Sequence, residues 1–388
     1  MLTQAAATMA AYTLSTASPH IAPDLGVESE DIAQIVAVVY FMGAFSALTI
    51  PPFIRRYGGI AVSMAICAAS GAMVTIAAFA HSTWMLGLGA VALGCLYGAT
   101  APSSSFVLAA LAPPKRRNLV FSIRQIGVPL GGILGGVLIP PLILLGGWRL
   151  AFEAQLLFAA VLLVALNLVR RRYDRQREPM VALVSLAAAA RLFGLLRELP
   201  ELRPLAVASF LYSGAQLCFG AFLVTQVVRV FGHEAYGFAS AVALVAFQVS
   251  GTVARILLAV VADAWVSARA LLALQGVLMA SAAVVAAHYG ADWPRWLVLV
   301  NCALAGASAS GYTGLAFAEY ARIGGAARTA EATGLGAALM FFGVALMAPL
   351  FRLGIEIFDG YRLPYLAIAA LTLASAVLLA LPSGPARR

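Results

Sequence analysis

Apolar residues run along this 388-residue chain in long blocks, separated by short breaks rich in glycine, proline or arginine. A helix needs about 20 apolar residues to cross a bilayer. Twelve blocks approach or exceed that length: residues 3–21, 32–54, 60–79, 86–111, 119–145, 151–169, 205–230, 235–261, 268–287, 296–317, 330–351 and 364–381. The pattern predicts twelve spanning helices, with most neighbours antiparallel because the breaks are short. Composition points the same way. Hydrophobic residues make up 62% of the chain and charged residues 11%, with a mean hydropathy of +0.94. A soluble domain carries about 25% charged residues.

One connection is long, from Arg170 to Pro204. It opens on the run RRRYDRQREP and continues as an apolar stretch, 180–196, interrupted by Arg191. That stretch is short and alanine-rich, so it predicts an amphipathic helix on the membrane surface rather than a thirteenth span. An internal repeat supports this reading. Gly147-Trp148-Arg149-Leu150-Ala151-Phe152 returns as Gly360-Tyr361-Arg362-Leu363-Pro364-Tyr365, and the same offset relates Arg56 to Arg269 and Gly98 to Gly311. A parallel repeat of six helices follows. The expected organisation is a six-helix bundle over 1–172, a cytoplasmic linker over 173–203 and a second six-helix bundle over 204–388.

The net charge of +9 would suit nucleic acid, but the arginines cluster in short loops, as topology signals do. With the N-terminus in the cytoplasm, eighteen Lys and Arg residues fall on the cytoplasmic side and five on the other. The expectation is a multi-pass protein of the cell (inner) membrane with both termini cytoplasmic. The first block has no basic residue before it, which argues against a cleaved signal peptide. The four cysteines lie inside apolar blocks and do not suggest a disulfide framework. The four histidines map near helix ends and lack metal-ligand spacing. No phosphate-binding loop, catalytic serine motif or soluble domain is visible, so neither an enzyme nor an ATP-driven pump is expected, and no cofactor or metal.

Two repeats of six helices with a cytoplasmic linker resemble the major facilitator superfamily. The loop Pro51-Pro52-Phe53-Ile54-Arg55-Arg56-Tyr57-Gly58-Gly59 is similar to that superfamily's signature G-x-x-x-D-R-x-G-R-R. Arg56 and Gly58 match, while Arg55 stands at the aspartate position and Pro51 at the leading glycine. The loop after the eighth helix keeps an acid, Asp263. Gly127-Val128-Pro129-Leu130-Gly131-Gly132 resembles the antiporter-type motif of the superfamily's exporters, a sequence also met in importers. The run TVARILLAVVAD around Arg255 resembles the eighth helix of monocarboxylate porters, where an arginine engages the substrate carboxylate. Those porters often carry an acid one turn earlier, where this chain has Gly251.

Two cations lie inside predicted spans, Arg124 and Arg255. A central arginine costs about 2.5–3.5 kcal/mol to insert, so it faces a cavity or a partner. Each could bind an anion through its planar fork of donors, or tie helices together through carbonyls or an acid. Polar residues expected along a cavity are Tyr12 and Thr16, Tyr97, Tyr212 and Gln216, and Asn301 and Tyr312, with helix-to-helix hydrogen bonding as the alternative for each. Gln125, Gly127 and Pro129 mark a helix able to bend and to let a neighbouring backbone come close, and Asp263 and Glu319 are candidates for gating or coupling. Structural ion pairing is the plainer reading of Asp263, Glu319, Glu331 and Glu153. His20 follows a polar cluster at the end of the first helix and is a candidate for titration.

The reading that follows is a monomeric secondary transporter moving a small organic anion by alternating access, with protons as coupling ion for uptake. The alternative is a proton-coupled exporter of drugs or other amphipathic compounds.

Overall fold

The computed structural model describes residues 1–27, 29–174 and 186–381. Arg175, Arg177, Arg387 and Arg388 of the charge pattern, and positions 180–185 of the linker stretch, lie outside the described residues. No strand occurs among the described residues. Eight helical stretches are long and apolar enough to cross a membrane, and a bent pair, Ile35–Thr49 with Pro51–Tyr57, makes a ninth. Two of the eight are runs of 60 and 63 residues, each broken within and therefore holding two spans. Leu2–Leu25, a less apolar helix, completes twelve.

The helices are α1 (Leu2–Leu25), α2 (Ser29–Thr49), α3 (Gly59–Ala78), α4 (Thr83–Leu111), α5 (Arg117–Gln125 continued over 127–145), α6 (148–173), α7 (Leu202–Phe231), α8 (Leu244–Ala264), α9 (Ala268–Ala287), α10 (Arg295–Gly311 continued over 313–324), α11 (329–357) and α12 (Arg362–Ala380). The α5–α6 break falls at Gly147 (φ 78°) and the α10–α11 break at Gly325 (φ 61°). Side chains avoid that left-handed backbone, so glycine is the residue that can turn the chain there. The linker carries a 13-residue helix, Leu186–Glu198, too short to span.

The same three helix pairings occur in both sequence halves, and each rests on small residues. In the first half α5 packs on α1, where a Cβ added to Gly131 would stand 2.5 Å from the Ala5 carbonyl oxygen. There α4 also packs on α2 through Gly94 and Gly98, and α6 on α3. In the second half α11 packs on α7 through Gly343, α10 on α8 through Gly306 and Gly251, and α12 on α9. Small residues let backbones approach closely where lipid offers no hydrophobic drive for association.

Contacts divide the chain into two compact units. Unit 1 holds Met1–Leu111, Arg124–Gly194 and Gly324–Ala338; unit 2 holds Ala112–Ile123, Leu195–Ile323 and Leu339–Arg388. Each unit therefore takes one short segment from the other sequence half: the start of α5 belongs with unit 2, and the start of α11 with unit 1.

Candidate functional site

In unit 2 a polar group forms around Arg255, in the middle of α8. Arg255 is 4% exposed, and its Nε donates to the Ser310 carbonyl oxygen of α10 at 2.7 Å. The same residue's hydroxyl accepts from Gln216 Nε2 of α7 at 3.2 Å. Tyr312 lies beside Arg255 and Ser213, and its ring meets Tyr212 edge-on at 5.4 Å. Tyr212 donates to the Leu272 carbonyl at 3.2 Å. Arg255, Tyr212, Gln216 and Tyr312, four residues singled out in the sequence, thus share one buried neighbourhood. Ser213 and Ser310 complete it and were not singled out. Asn301 is not part of it. Its Nδ2 donates to the Ala282 carbonyl and the Tyr289 hydroxyl, 3.1 and 2.9 Å away.

In unit 1 the polar residues form a stripe along α1 at a spacing of four, which keeps them on one helix face. Gln4 Oε1 accepts from Arg124 Nη2 at 3.0 Å. Thr8 and Tyr97 hydroxyls lie 3.1 Å apart. Tyr12 is hydrogen-bonded with Tyr40, whose ring meets that of Tyr97 edge-on at 5.7 Å. Thr16 donates to the Tyr12 carbonyl of its own helix. Arg124 of α5, 4% exposed, is therefore tied to the start of α1 through Gln4, which lies one turn before Thr8. Gln4, Thr8 and Tyr40 were not singled out, although the repeat Gln4, Thr8, Tyr12, Thr16 is visible in the sequence.

Two glycines of the GVPLGG motif, Gly127 and Gly131, serve packing, as does Gly135 one turn further on, whereas Gly132 faces open space. Gly127, Gly131 and Gly135 approach α1 at Met1, Ala5 and Met9. The break in α5 falls at Ile126, ahead of the motif. Pro129 sits in the first turn after that break, where a missing N–H is tolerated. Gln125 is buried beside the break.

The acids take distinct roles at the arginine-rich helix ends. In unit 2, Asp263 accepts from the Asn118 and Leu119 backbone N–H groups at 3.0 Å each and from Asn118 Nδ2 at 2.8 Å. A carboxylate there satisfies orphan donors and complements the positive end of α5. Glu319, 7% exposed, forms a bidentate pair with Arg322 at 2.7 and 2.8 Å, and Arg322 also reaches Glu201 at 3.3 Å. In unit 1, Arg55 pairs with Glu331 at 3.2 Å. Glu319 and Glu331 thus sit in ion pairs, whereas Asp263 caps a helix; Glu153 is exposed. Asp174, unremarked in the sequence, is buried and accepts from the Ile60 and Ala61 N–H groups at 2.9 and 2.8 Å. Its carboxylate fills the space a side chain on Gly58 would need, and Gly58 itself has φ 98°. The signature loop's glycine is therefore required twice over, by its backbone and by its neighbour. No cluster of metal-ligating side chains occurs among the described residues.

The chain matches the family model described as Major Facilitator Superfamily over residues 1–317. Solved structures similar to it include the transporter FucP in the outward conformation, at 13% identity and TM-score 0.74, covering 98% of this chain and 99% of that one. The human organic anion transporter MFSD10 (TETRAN) aligns at 17% identity and TM-score 0.72, covering 97% of each chain. The proton:xylose symporter XylE aligns at 13% identity and TM-score 0.69, covering 97% of this chain and 94% of that one. At these identities the likeness is one of fold. No curated protein sequence matches. With a family model spanning most of its length, the chain belongs to the major facilitator superfamily of membrane transporters.

Proposed function

We propose that this transporter carries a small organic anion, that Arg255 takes its carboxylate or equivalent oxyanion, and that protons drive its uptake. The carrying observation is a guanidinium 4% exposed in mid-span, among Gln216, Ser310, Tyr212 and Tyr312. Charge at that depth is expensive and marks function by default. Hydroxyl and amide donors around it suit an oxyanion's remaining lone pairs. Tyr12, Thr16 and Tyr97 on the polar stripe of unit 1 are the further candidates for substrate contact, with Arg124 at its end. The fold neighbours are described as an organic anion transporter and as proton symporters of sugars, which supports both a small solute and proton coupling.

Gating on this reading falls to the arginine-rich ends. Asp263 holds the start of α5, and the Arg55–Glu331 pair holds the start of α11. Glu319 is the candidate proton carrier, since protonation would release Arg322 from its bidentate hold. Gly127 and Gly131 of the GVPLGG motif are occupied in packing and give the exporter reading no separate support.

Purified protein in vesicles, loaded against an inward proton gradient, tests this directly. Uptake of monocarboxylates and dicarboxylates above neutral sugars, collapsing when the gradient is dissipated, is expected. Transport of neutral sugars with no response to carboxylates would reject the anion assignment.

A further inference from the structure

Three arginines, Arg170 to Arg172, end α6, and the structure gives them different duties. Arg170 Nε lies 3.9 Å from Asp174 Oδ2, whose carboxylate also takes the two N–H groups at the start of α3. Arg171 and Arg172 instead line a cavity of about 740 Å³ with Leu111, Leu168 and Tyr173. Among the described residues no acid pairs with either, and Asp174, the acid next in sequence, is buried and engaged elsewhere. Among the described residues the cavity wall therefore carries two positive charges and no negative one. Arg172 Cζ stands 5.6 Å from the Tyr173 ring centroid, which positions the guanidinium against the ring.

The apolar part of the wall is unusual for a solute site. Leu168 is 78% exposed and Leu111 is 54% exposed. In a helix that crosses a bilayer, such leucines face acyl chains. The cavity thus joins a lipid-facing aliphatic strip to a cationic head, with Tyr173 beside the arginines, a residue type that favours the headgroup level. A helix C-terminus alone would favour arginines in its last turn. It would not call for a cavity, nor for exposed leucines beside it.

We propose that this cavity binds an anionic glycerophospholipid, its phosphodiester held by Arg171 and Arg172 and an acyl chain lying along Leu111 and Leu168. Basic pockets at membrane helix ends are suited to such headgroups. The assignment concerns the surface of unit 1 and does not depend on the transported solute.

The test is thermal stabilisation of the full-length protein in neutral detergent, titrated with phosphatidylglycerol, with phosphatidylcholine of the same acyl chains, and with inorganic phosphate. Phosphatidylglycerol should stabilise more than phosphatidylcholine. Arg171→Gln with Arg172→Gln should weaken its apparent affinity about thirtyfold, and Arg352→Gln, on an exposed arginine elsewhere, should not. Leu168→Gln should weaken the lipid's effect and leave that of phosphate unchanged. Equal stabilisation by both lipids, or a preference that survives in the double variant, would overturn the proposal. So would an arginine-dependent response to inorganic phosphate matching that to the lipid and indifferent to Leu168→Gln, which would mark a site for soluble anions.

Discussion

Arg55 Nη1 lies 3.2 Å from Glu331 Oε1. The residue standing at the signature's aspartate position is thus a cation that meets an acid near the start of α11, within unit 1. The side chains are 34% and 19% exposed, so screening limits the pair to about 0.5–1 kcal/mol. Arg55→Glu and Glu331→Arg should each destabilise, and the double exchange should recover most of the loss. Melting temperatures of the four proteins give the coupling directly. Additive losses would show that the pair contributes nothing.

Asp174 offers a second test of how the signature loop is held. Asp174→Ala removes the acceptor for two N–H groups at the start of α3, a capping loss of about 1–2 kcal/mol. Gly58→Ala should cost at least as much, since the φ of 98° strains any side chain and the new Cβ would fall on the Asp174 carboxylate. Both are read as lowered melting temperature in detergent.

Neighbouring glycines in one motif should behave oppositely. Gly131→Ala drives a methyl group toward the Ala5 carbonyl and should destabilise by about 1–3 kcal/mol. A Cβ on Gly132 meets nothing within 4 Å, so Gly132→Ala should be neutral or stabilising by up to about 1 kcal/mol, reflecting helix propensity. Equal effects at the two positions would contradict the packing role given to the motif.

Much of the fold was legible because twelve apolar blocks leave a chain few alternatives, and because the repeat set their number and parity. The site was legible only where chemistry is rare. Arg255 stands out because a cation in lipid demands an explanation. Asn301 looked equally suitable, yet it lies eleven residues from Tyr312, about 16 Å along a helix, and bonds at another depth. Ser310 was invisible as a partner because its backbone carbonyl, common to every residue, is what meets Arg255. Asp174 was invisible for another reason: its partners, Ile60 and Ala61, lie more than 110 residues away. The motif GVPLGG suggested both close approach and bending; Gly127 and Gly131 make the close approach to α1 while Gly132 does not, a distinction that depends on which face the partner occupies.

The central claim is that Arg255 receives the anionic group of the solute. Thermal stabilisation of purified protein by a panel of carboxylates, repeated with Arg255→Gln and Arg255→Lys, tests it most directly. A bound carboxylate at 100 times its Kd should add about 2.7 kcal/mol to wild-type stability. Loss of the guanidinium should weaken that carboxylate by about 2–5 kcal/mol, cutting the response in Arg255→Gln to below about 1 kcal/mol at the same concentration, with Arg255→Lys keeping more of it. A carboxylate response that persists undiminished in a folded Arg255→Gln protein would contradict the account and leave Arg255 as a tie between α8 and α10.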